Sequence, residues 1–567
     1  MAAAAVGRWT GRFAGRKALN ICRETAGEVT AAEPGFRALS DAELGARTEA
    51  FRARLAAGED AFDLMIDAFA AVREAARRTL GLRHHDEQIM GGTAMALGMI
   101  ADMRDHEGKT LACVLPAYLA ALEGGAVHVI NADDREAERA AGWMGPVYRA
   151  LGIEVGLLRP EPEAYTARRA VYAADVVYGS VSQIGYDLLR GDMAWSPDEV
   201  VQRGLDVGIV DDARNLFIEN RDLEMLISGP APEEEVERRT AWAGIAESLS
   251  REAGDYSFDR STRRVRLLEP GIGRLQDLLG VDELHPVEDA VGLGLVADVL
   301  AARESGEEAP GPDRQVRLAR ITVAGLLSAY GSLSGASADA ACDHEVFQRG
   351  HALTVVTIPS RRPVDEPGRR VLDPERFERR ADLERALDLQ RAEWAAERAA
   401  IMSGEGRTAR IDGLFDEFAE QAVLGLPRSC GRDDLDAVLA LVGEVCPISV
   451  TVDELMRTPK RAAVAGRLRA AIAEAYGRRE RELGSELLRE VEHHVLLSVL
   501  DLVWREHLAR EDALPASLWL LGDDPNETFV DAVVGSYVLM EETIPRETVG
   551  YLFNLEVEIE TDEADGA

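Results

Sequence analysis

The chain has 567 residues, enough for three to four domains at roughly 150 residues each. Apolar residues make up 46% and charged residues 29%, the balance of a globular protein with a real core. Acidic residues outnumber basic ones 101 to 64, a formal net charge of −37, and such a field repels phosphate backbones, so a nucleic-acid partner is disfavoured unless the basic residues cluster. Lysine occurs only three times (Lys17, Lys109, Lys460), leaving 61 arginines, a bias typical of a GC-rich bacterial genome. The five cysteines are dispersed with no CxxC pair, which fits a reducing compartment and argues against a disulfide scaffold or a zinc site. No apolar run reaches 18 residues, and Arg8, Arg12 and Arg16 interrupt any signal-peptide core, so the expected location is cytoplasmic.

In chain order, residues 6–22 set Trp9 and Phe13 at i, i+4 beside Arg8, Arg12, Arg16 and Lys17. That pattern predicts a short basic amphipathic helix, able to lie on an anionic membrane surface or to pack its aromatic pair on the protein body. Residues 36–80 read as helices, with Ser40 capping ahead of the Glu43 turn. From 80 to about 230, the apolar runs 111–125, 126–134, 153–158, 174–180 and 207–212 alternate with helical stretches, as in a parallel α/β sheet. Residues 231–310 are more acidic, with 233–237 and 306–313 reading as linker. A further strand is expected in 352–360, helices from 375 to 550, and a closing strand in 551–560.

The sharpest motif is Met103-Arg-Asp-His-Glu-Gly-Lys-Thr110, which contains the GK[ST] end of a phosphate-binding loop. Backbone N–H groups around His106, Glu107 and Gly108 would surround the β-phosphate, Lys109 would reach the β/γ oxygens, and the Thr110 hydroxyl would meet Mg²⁺. About a hundred residues later, Gly208-Ile-Val-Asp-Asp212 delivers Asp211 toward the same metal. Two defects accompany the motif. His106 stands where a tight anion cradle favours glycine, and Asp212 stands where a longer Glu would polarise water, a retraction costing roughly a hundredfold in rate. Binding is expected and hydrolysis is doubtful.

At this point the sequence resembles the SecA preprotein translocase ATPases. The matching stretches are Ala38–Leu44 with Thr48–Leu55, Arg83-His-His-Asp-Glu-Gln88 with Gly91-Gly92, and Glu107–Thr110. Leu115–Leu119, Val127–Val129, Tyr178-Gly179, Gly185–Arg190, Ile227–Pro230 and Tyr256 through Leu279 continue the series. Ser334-Gly-Ala336 sits at the family's Thr-Gly-Thr-Ala motif, and Ile358–Pro363, Val503–Leu508 and Tyr551–Val557 complete it. The resemblance implies that Gln88 contacts the adenine base. It implies one RecA-like domain with N-terminal helices (1–230, resumed at 313–370), a shortened preprotein cross-linking domain (231–312), and a helical scaffold and wing (371–567). It also implies preproteins, the inner-membrane protein-conducting channel, and a full-length SecA or a second copy as partners at the inner face of the membrane.

The departures are as informative. The family's second RecA-like domain, due near 370–380, is absent by pattern, and with it the arginines that stabilise charge on the γ-phosphate, worth roughly 10³–10⁵ in rate. The cross-linking domain breaks off near Ala301. The acidic Asp-Glu-x-Asp motif reads Asp211-Asp212-Ala213-Arg214, and the following helix is altered at Glu219–Leu223. The two-helix finger carries Leu520-Leu-Gly-Asp-Asp-Pro525 at its tip instead of aromatic and basic residues, and the zinc tail is missing, so no zinc is expected. Two readings result: an ATP/ADP-binding accessory with weak or partner-dependent hydrolysis, or a non-enzymatic pseudo-motor that binds and regulates full-length SecA, the channel or preproteins. An RNA helicase is disfavoured by charge and by the single lobe. His493-His494 point to different helix faces and lack further ligands, and Tyr330–Gly335 only imitates a hydrolase GxSxG in shifted register.

Overall fold

The computed structural model describes residues 15–104, 108–160, 164–307, 315–360, 374–404, 406–522 and 525–555. The chain divides into two compact units, one formed by Met1–Ile227 with Arg320–Leu389 and the other by Ser228–Ala319 with Gln390–Ala567.

The first unit begins with helices α1 (Gly15–Arg37), α2 (Asp41–Gly45), α3 (Arg47–Ala56) and α4 (Ala61–Leu80). Ser40 opens α2 in a reciprocal cap. Its hydroxyl accepts from the Glu43 N–H at 3.3 Å, and its own N–H donates to the Glu43 carboxylate at 2.7 Å. Next come α5 (Asp86–Ala96), β1 (Ile100–Asp102), α6 (Lys109–Leu122), β2 (Val127–Asn131), α7 (Asp134–Ala150), β3 (Val155–Leu157), α8 (Tyr165–Tyr172), β4 (Val176–Ser180), α9 (Val181–Asp192) and β5 (Val207–Val210). The chain leaves through β6 (Glu224–Pro230). It builds α10 (Glu233–Ser248), the hairpin β7 (Tyr256–Asp259) and β8 (Arg264–Leu267), α11 (Glu269–Leu279) and α12 (Ala290–Ser305), then returns through β9 (Gln315–Thr322), which pairs with β6. It completes the first unit with α13 (Val323–Ser328), β10 (Ser332–Ser337), α14 (His344–His351) and β11 (Val355–Thr357).

Seven strands form one sheet in the order β11-β1-β10-β5-β2-β4-β3, and every pairing is parallel. Parallel strands need helical crossovers, so both faces are covered and the strands read as apolar runs. The run 111–125, grouped with the strand-like segments in the sequence, is instead helix α6. It is buried on every side from Leu111 to Leu122, which erases the amphipathic period that would have distinguished it from a buried strand.

The second unit continues with α15 (Pro374–Ser403, shared with the first), α16 (Arg407–Ala422), α17 (Arg432–Val445), α18 (Val452–Leu455), α19 (Arg461–Leu483), α20 (Ser485–Leu521) and α21 (Pro525–Asn554). Its core includes the stacked pair Trp394–Trp504, with ring centroids 4.9 Å apart and planes at 11°. One turn along α15, the buried Arg398 grips Asp501 with two bonds of 2.7 and 2.9 Å. Two sequence expectations change here. The acidic run Glu233–Glu237 is not a linker: it opens α10, where carboxylates favour the helix N-terminus. The closing strand expected from 551 begins as helix, because Tyr551–Asn554 finish α21 and bury Leu552 and Phe553 against the helical core; the remainder of that expectation, like Trp9 and Phe13, lies outside the described residues. Among the described residues no helix is long and apolar enough to cross a membrane.

Two histidines in the first unit are fully buried and neutral. The His84 Nε2–H donates to the Leu111 carbonyl at 2.9 Å, and His128 Nδ1 meets the Tyr330 hydroxyl at 2.7 Å. Burial depresses both from the ordinary 6.5 to about 4. Between those values the unfolded chain binds more protons than the folded one, so acid favours unfolding. Stability should therefore fall as pH drops from 6.5 toward 4, by about 3 kcal/mol per histidine at the acid end. Denaturant melts across this range should show the slope, and His128→Asn should remove about half of the part these two residues contribute.

Candidate nucleotide site

The loop that precedes α6 is anchored by strand β1, which lies between β10 and β11 with Ile100 in register with Gly335 and Val355. The Met103 N–H donates to the Ser337 carbonyl at 2.7 Å, so the approach to the loop is fixed by β10. Gly108 caps α6 with φ of +83°, a conformation open to glycine at little cost. A Cβ at this position would stand 2.2 Å from the Gln88 side-chain nitrogen. The carboxamide of Gln88 thus borders the cap of α6, and its oxygen accepts from the His85 N–H at 2.9 Å. His106 and Glu107 lie outside the described residues.

Gln88 owes its place to a residue the sequence reading passed over. Arg73, on α4, is completely buried. It donates to the His84 carbonyl at 2.9 Å, to Thr30 Oγ1 of α1 at 2.8 Å and to the Asp86 carboxylate at 3.0 Å. Glu33 lies 3.5 Å from it and is held by Arg83 at 2.7 Å. One guanidinium therefore ties α1, α4 and the start of α5 together, two residues ahead of Gln88.

Across the sheet, the Thr110 hydroxyl donates to Asp211 Oδ2 at 2.8 Å. Asp211 follows β5, and its N–H donates to the Ile130 carbonyl at 3.1 Å. Asn131 Nδ2 lies 3.4 Å from the same carboxylate, and Cys113 Sγ lies 3.8 Å from its other oxygen. Burial pushes the Asp211 carboxyl above the usual range, while the Thr110 hydroxyl and the Lys109 ammonium draw it down and the neighbouring Asp212 raises it further. A half-buried acid strained in this way, beside a hydroxyl and a lysine at a helix N-terminus, fits a magnesium–nucleotide complex. Magnesium takes one or two protein oxygens and fills its remaining positions with water and phosphate. Among the described residues no group of three or more His, Cys, Asp or Glu forms a self-sufficient metal cage. Glu136 of α7 faces the same acids, its carboxyl raised first by burial and then by Asp133, with Asp211 and Asp212 adding to the rise.

The motif Ser334-Gly-Ala336 lies on β10, between the strand of the phosphate loop and the strand of Asp211. Gly335 is required there, since a Cβ would stand 2.7 Å from the Val210 carbonyl. Arg214, which interrupts the acidic motif, is drawn to this neighbour. Its N–H donates to Ser337 Oγ at 3.1 Å, and its guanidinium bonds the fully buried Asp343 at 3.1 Å. The structure therefore brings Gln88, Gly108, Lys109, Thr110, Asp211 and Asp212 together around the carboxyl ends of β1 and β5. Sequence reasoning missed Asn131, whose only signal was its position at the end of an apolar run beside β5.

Two family models match the chain: a SecA DEAD-like domain over residues 8–348 and a SecA Wing and Scaffold domain over residues 378–556. The chain belongs to the SecA family. Its relatives include a protein translocase subunit SecA of Kocuria rhizophila, 45% identical over 293 residues that make up 52% of this chain and 31% of that protein. The subunit SecA of Acidothermus cellulolyticus is 38% identical over 397 residues, covering 62% and 39% of the two chains. A subunit SecA 2 of Streptomyces avermitilis is 36% identical over 424 residues, covering 62% and 45%. The chain thus spans less than half the length of these curated relatives. Only residues 349–377 separate the two SecA-type matches, fewer than the roughly 50 that a domain needs. Among the described residues beyond β11 the elements are helices, joined by one isolated bridge between Ser429 and Lys460.

Proposed function

We propose that this chain is an ATP- and ADP-binding component of bacterial protein export, accessory in character, with hydrolysis that is weak or depends on a partner. The observation that carries the reading is the 2.8 Å bond from Thr110 to Asp211 at the N-terminus of α6, with Gln88 at the adjoining cap. In this reading Gln88 holds the adenine edge, and the N–H groups around His106, Glu107 and Gly108 with the first turn of α6 hold the β-phosphate. Lys109 meets the β/γ oxygens, Thr110 and Asp211 share Mg²⁺, and Asp212 orients water from one methylene too far. Magnesium bound there would neutralise charge developing on the phosphates.

The same proposal divides the chain into 1–230 and 313–370 as the nucleotide-binding domain, 231–312 as a shortened preprotein cross-linking domain and 371–567 as scaffold, wing and two-helix finger. It assigns preproteins and the protein-conducting channel as partners at the cytoplasmic face of the membrane, with a full-length SecA or a second copy supplying what one lobe lacks. The basic segment around Arg8, Arg12 and Lys17 would touch anionic lipid.

Turnover tests it. Isolated chain is expected to hydrolyse ATP roughly a thousandfold more slowly than a two-lobed SecA, and to gain rate when that SecA is added. Full activity from the isolated chain, free of any co-purified partner, would overturn the partner requirement.

A second reading, a non-enzymatic regulator, draws support from the tip of the α20–α21 hairpin. Leu520 is fully buried in the core that includes Tyr256, Val265 and Leu267, and Arg264 lies 4.4 Å over the Trp519 ring. A tip engaged by its own chain suits a binding scaffold better than a moving finger. Substrate-stimulated turnover would count against it.

A further inference from the structure

Asn131 closes the buried strand β2, between β5 and β4, and is itself only 2% exposed. Asparagine suits a buried strand poorly, because its carboxamide brings a donor and an acceptor that both need partners. The donor is used: Nδ2–H points to Asp211 Oδ2 at 3.4 Å, the same oxygen that accepts from the Thr110 hydroxyl at 2.8 Å. The acceptor is not. The buried Oδ1 has no hydrogen-bond partner among the described residues, and a buried acceptor left unmet is costly and rare.

The neighbours do not supply the missing donor. Ser180, opposite Asn131 in the register of β2 and β4, is already committed: its hydroxyl donates to Asp134 at 2.6 Å and accepts from the Gln183 N–H at 3.2 Å. The other groups nearby are carboxylates. Asp211 stands beside Asn131, Asp212 follows in the chain, and on α7 Glu136 has its carboxyl raised by burial, by Asp133 and then by those two acids. Carboxylates accept and do not donate, so an open acceptor among them suits an occupant that brings hydrogens and positive charge together. A hydrated cation brings both, since magnesium held by one or two carboxylates and a phosphate keeps several of its waters. The acids alone mark no site; the buried, unpartnered oxygen aimed among them does.

We infer that Asn131 is a positioning residue for the magnesium of a bound nucleotide: its N–H steers the Asp211 carboxylate, and its Oδ1 accepts from a water that the ion carries. The inference rests on the nucleotide reading and extends it to a residue that acts without touching the ion.

The test is calorimetric titration of ADP into the full chain, once with magnesium and once in EDTA. Asn131→Leu keeps the branched shape of the side chain and removes both polar atoms. It is expected to lower ADP affinity by about 10- to 100-fold in magnesium, the usual cost of losing an outer partner of a metal ligand, and to leave affinity in EDTA unchanged. Asn131→Thr, a strand-forming residue whose hydroxyl both donates and accepts, should recover most of the loss. Lys109→Ala should lose affinity in both conditions, because its proposed contact is to phosphate. Without nucleotide, Asn131→Leu should unfold in urea at or above the parent's midpoint, since it takes an unmet acceptor out of the interior. A purely structural asparagine predicts the reverse, so a lower midpoint with equal losses in magnesium and EDTA would overturn the inference. So would a parent-like magnesium dependence in Asn131→Leu, or a Thr variant as weak as the Leu one. In those cases ADP binding by the parent leaves the nucleotide reading standing; a parent that binds no ADP brings down both.

Discussion

Mg-ATP and Mg-ADP titrated calorimetrically into the purified chain are expected to bind in the micromolar range, and Lys109→Ala to weaken that binding by at least about a hundredfold. The size of the effect follows from how little else can compensate. Lysine occurs three times in the chain, and Lys109 is the one at the first position of α6. Its removal takes away the charge-assisted contact proposed for two phosphates and also leaves Asp211, already raised by burial, without the ammonium that draws it down. Asp211→Asn is expected to discriminate further: it should reduce affinity in the presence of magnesium and much less in EDTA. Absence of binding by the parent chain would mean that the loop is vestigial, and would move the functional weight to the helical unit.

Arg73→Ala is expected to cost about 3–5 kcal/mol of stability. The guanidinium is completely buried and meets three acceptors at 2.8–3.0 Å, so truncation leaves the His84 carbonyl without this donor and the buried Glu33 with Arg83 as its remaining cation. Arg73→Lys keeps the charge but cannot reach three directions from one point, and should recover only part of the loss. Urea melts monitored by circular dichroism measure the cost. Because the same side chain fixes the segment leading to Gln88, any folded fraction of Arg73→Ala should also bind adenine nucleotide more weakly while retaining its affinity for inorganic pyrophosphate. An unchanged melting curve would refute the network.

Much of this was legible in the sequence for reasons that can be named. The parallel sheet announced itself through short Val/Ile runs separated by helical spacing, and Lys109, Thr110 and Asp211 stood out because phosphate and magnesium demand those residue types in that order. What stayed hidden was whatever lacked a period or a characteristic residue. β1, of three residues, is too short to show alternation. α6 is buried all round and so resembles a strand. The charge run Glu233–Glu237 reads the same whether it solvates a linker or begins a helix. Arg73 was invisible because its partners, Thr30, His84 and Asp86, are scattered over 56 positions and include a backbone oxygen. Arg214 read as a defect in an acidic motif, whereas its bond to Asp343, far along the chain, gives it a structural task.

The sheet order has a consequence for how the protein is made. β1 carries the phosphate loop, yet both of its neighbours, β10 and β11, lie roughly 230–255 residues downstream. At a synthesis rate of about 5–20 residues per second, that strand waits on the order of 10–50 s with neither edge paired. Nascent chain of this length exposes an apolar strand edge and the unfilled side of α6 for the whole interval, a natural target for chaperones and for misassociation. The proposed nucleotide site can therefore close only after the inserted segment between β6 and β9 has emerged, so truncation between Asp212 and Ser332 should yield a chain that has every residue proposed to contact phosphate or magnesium and still cannot assemble them.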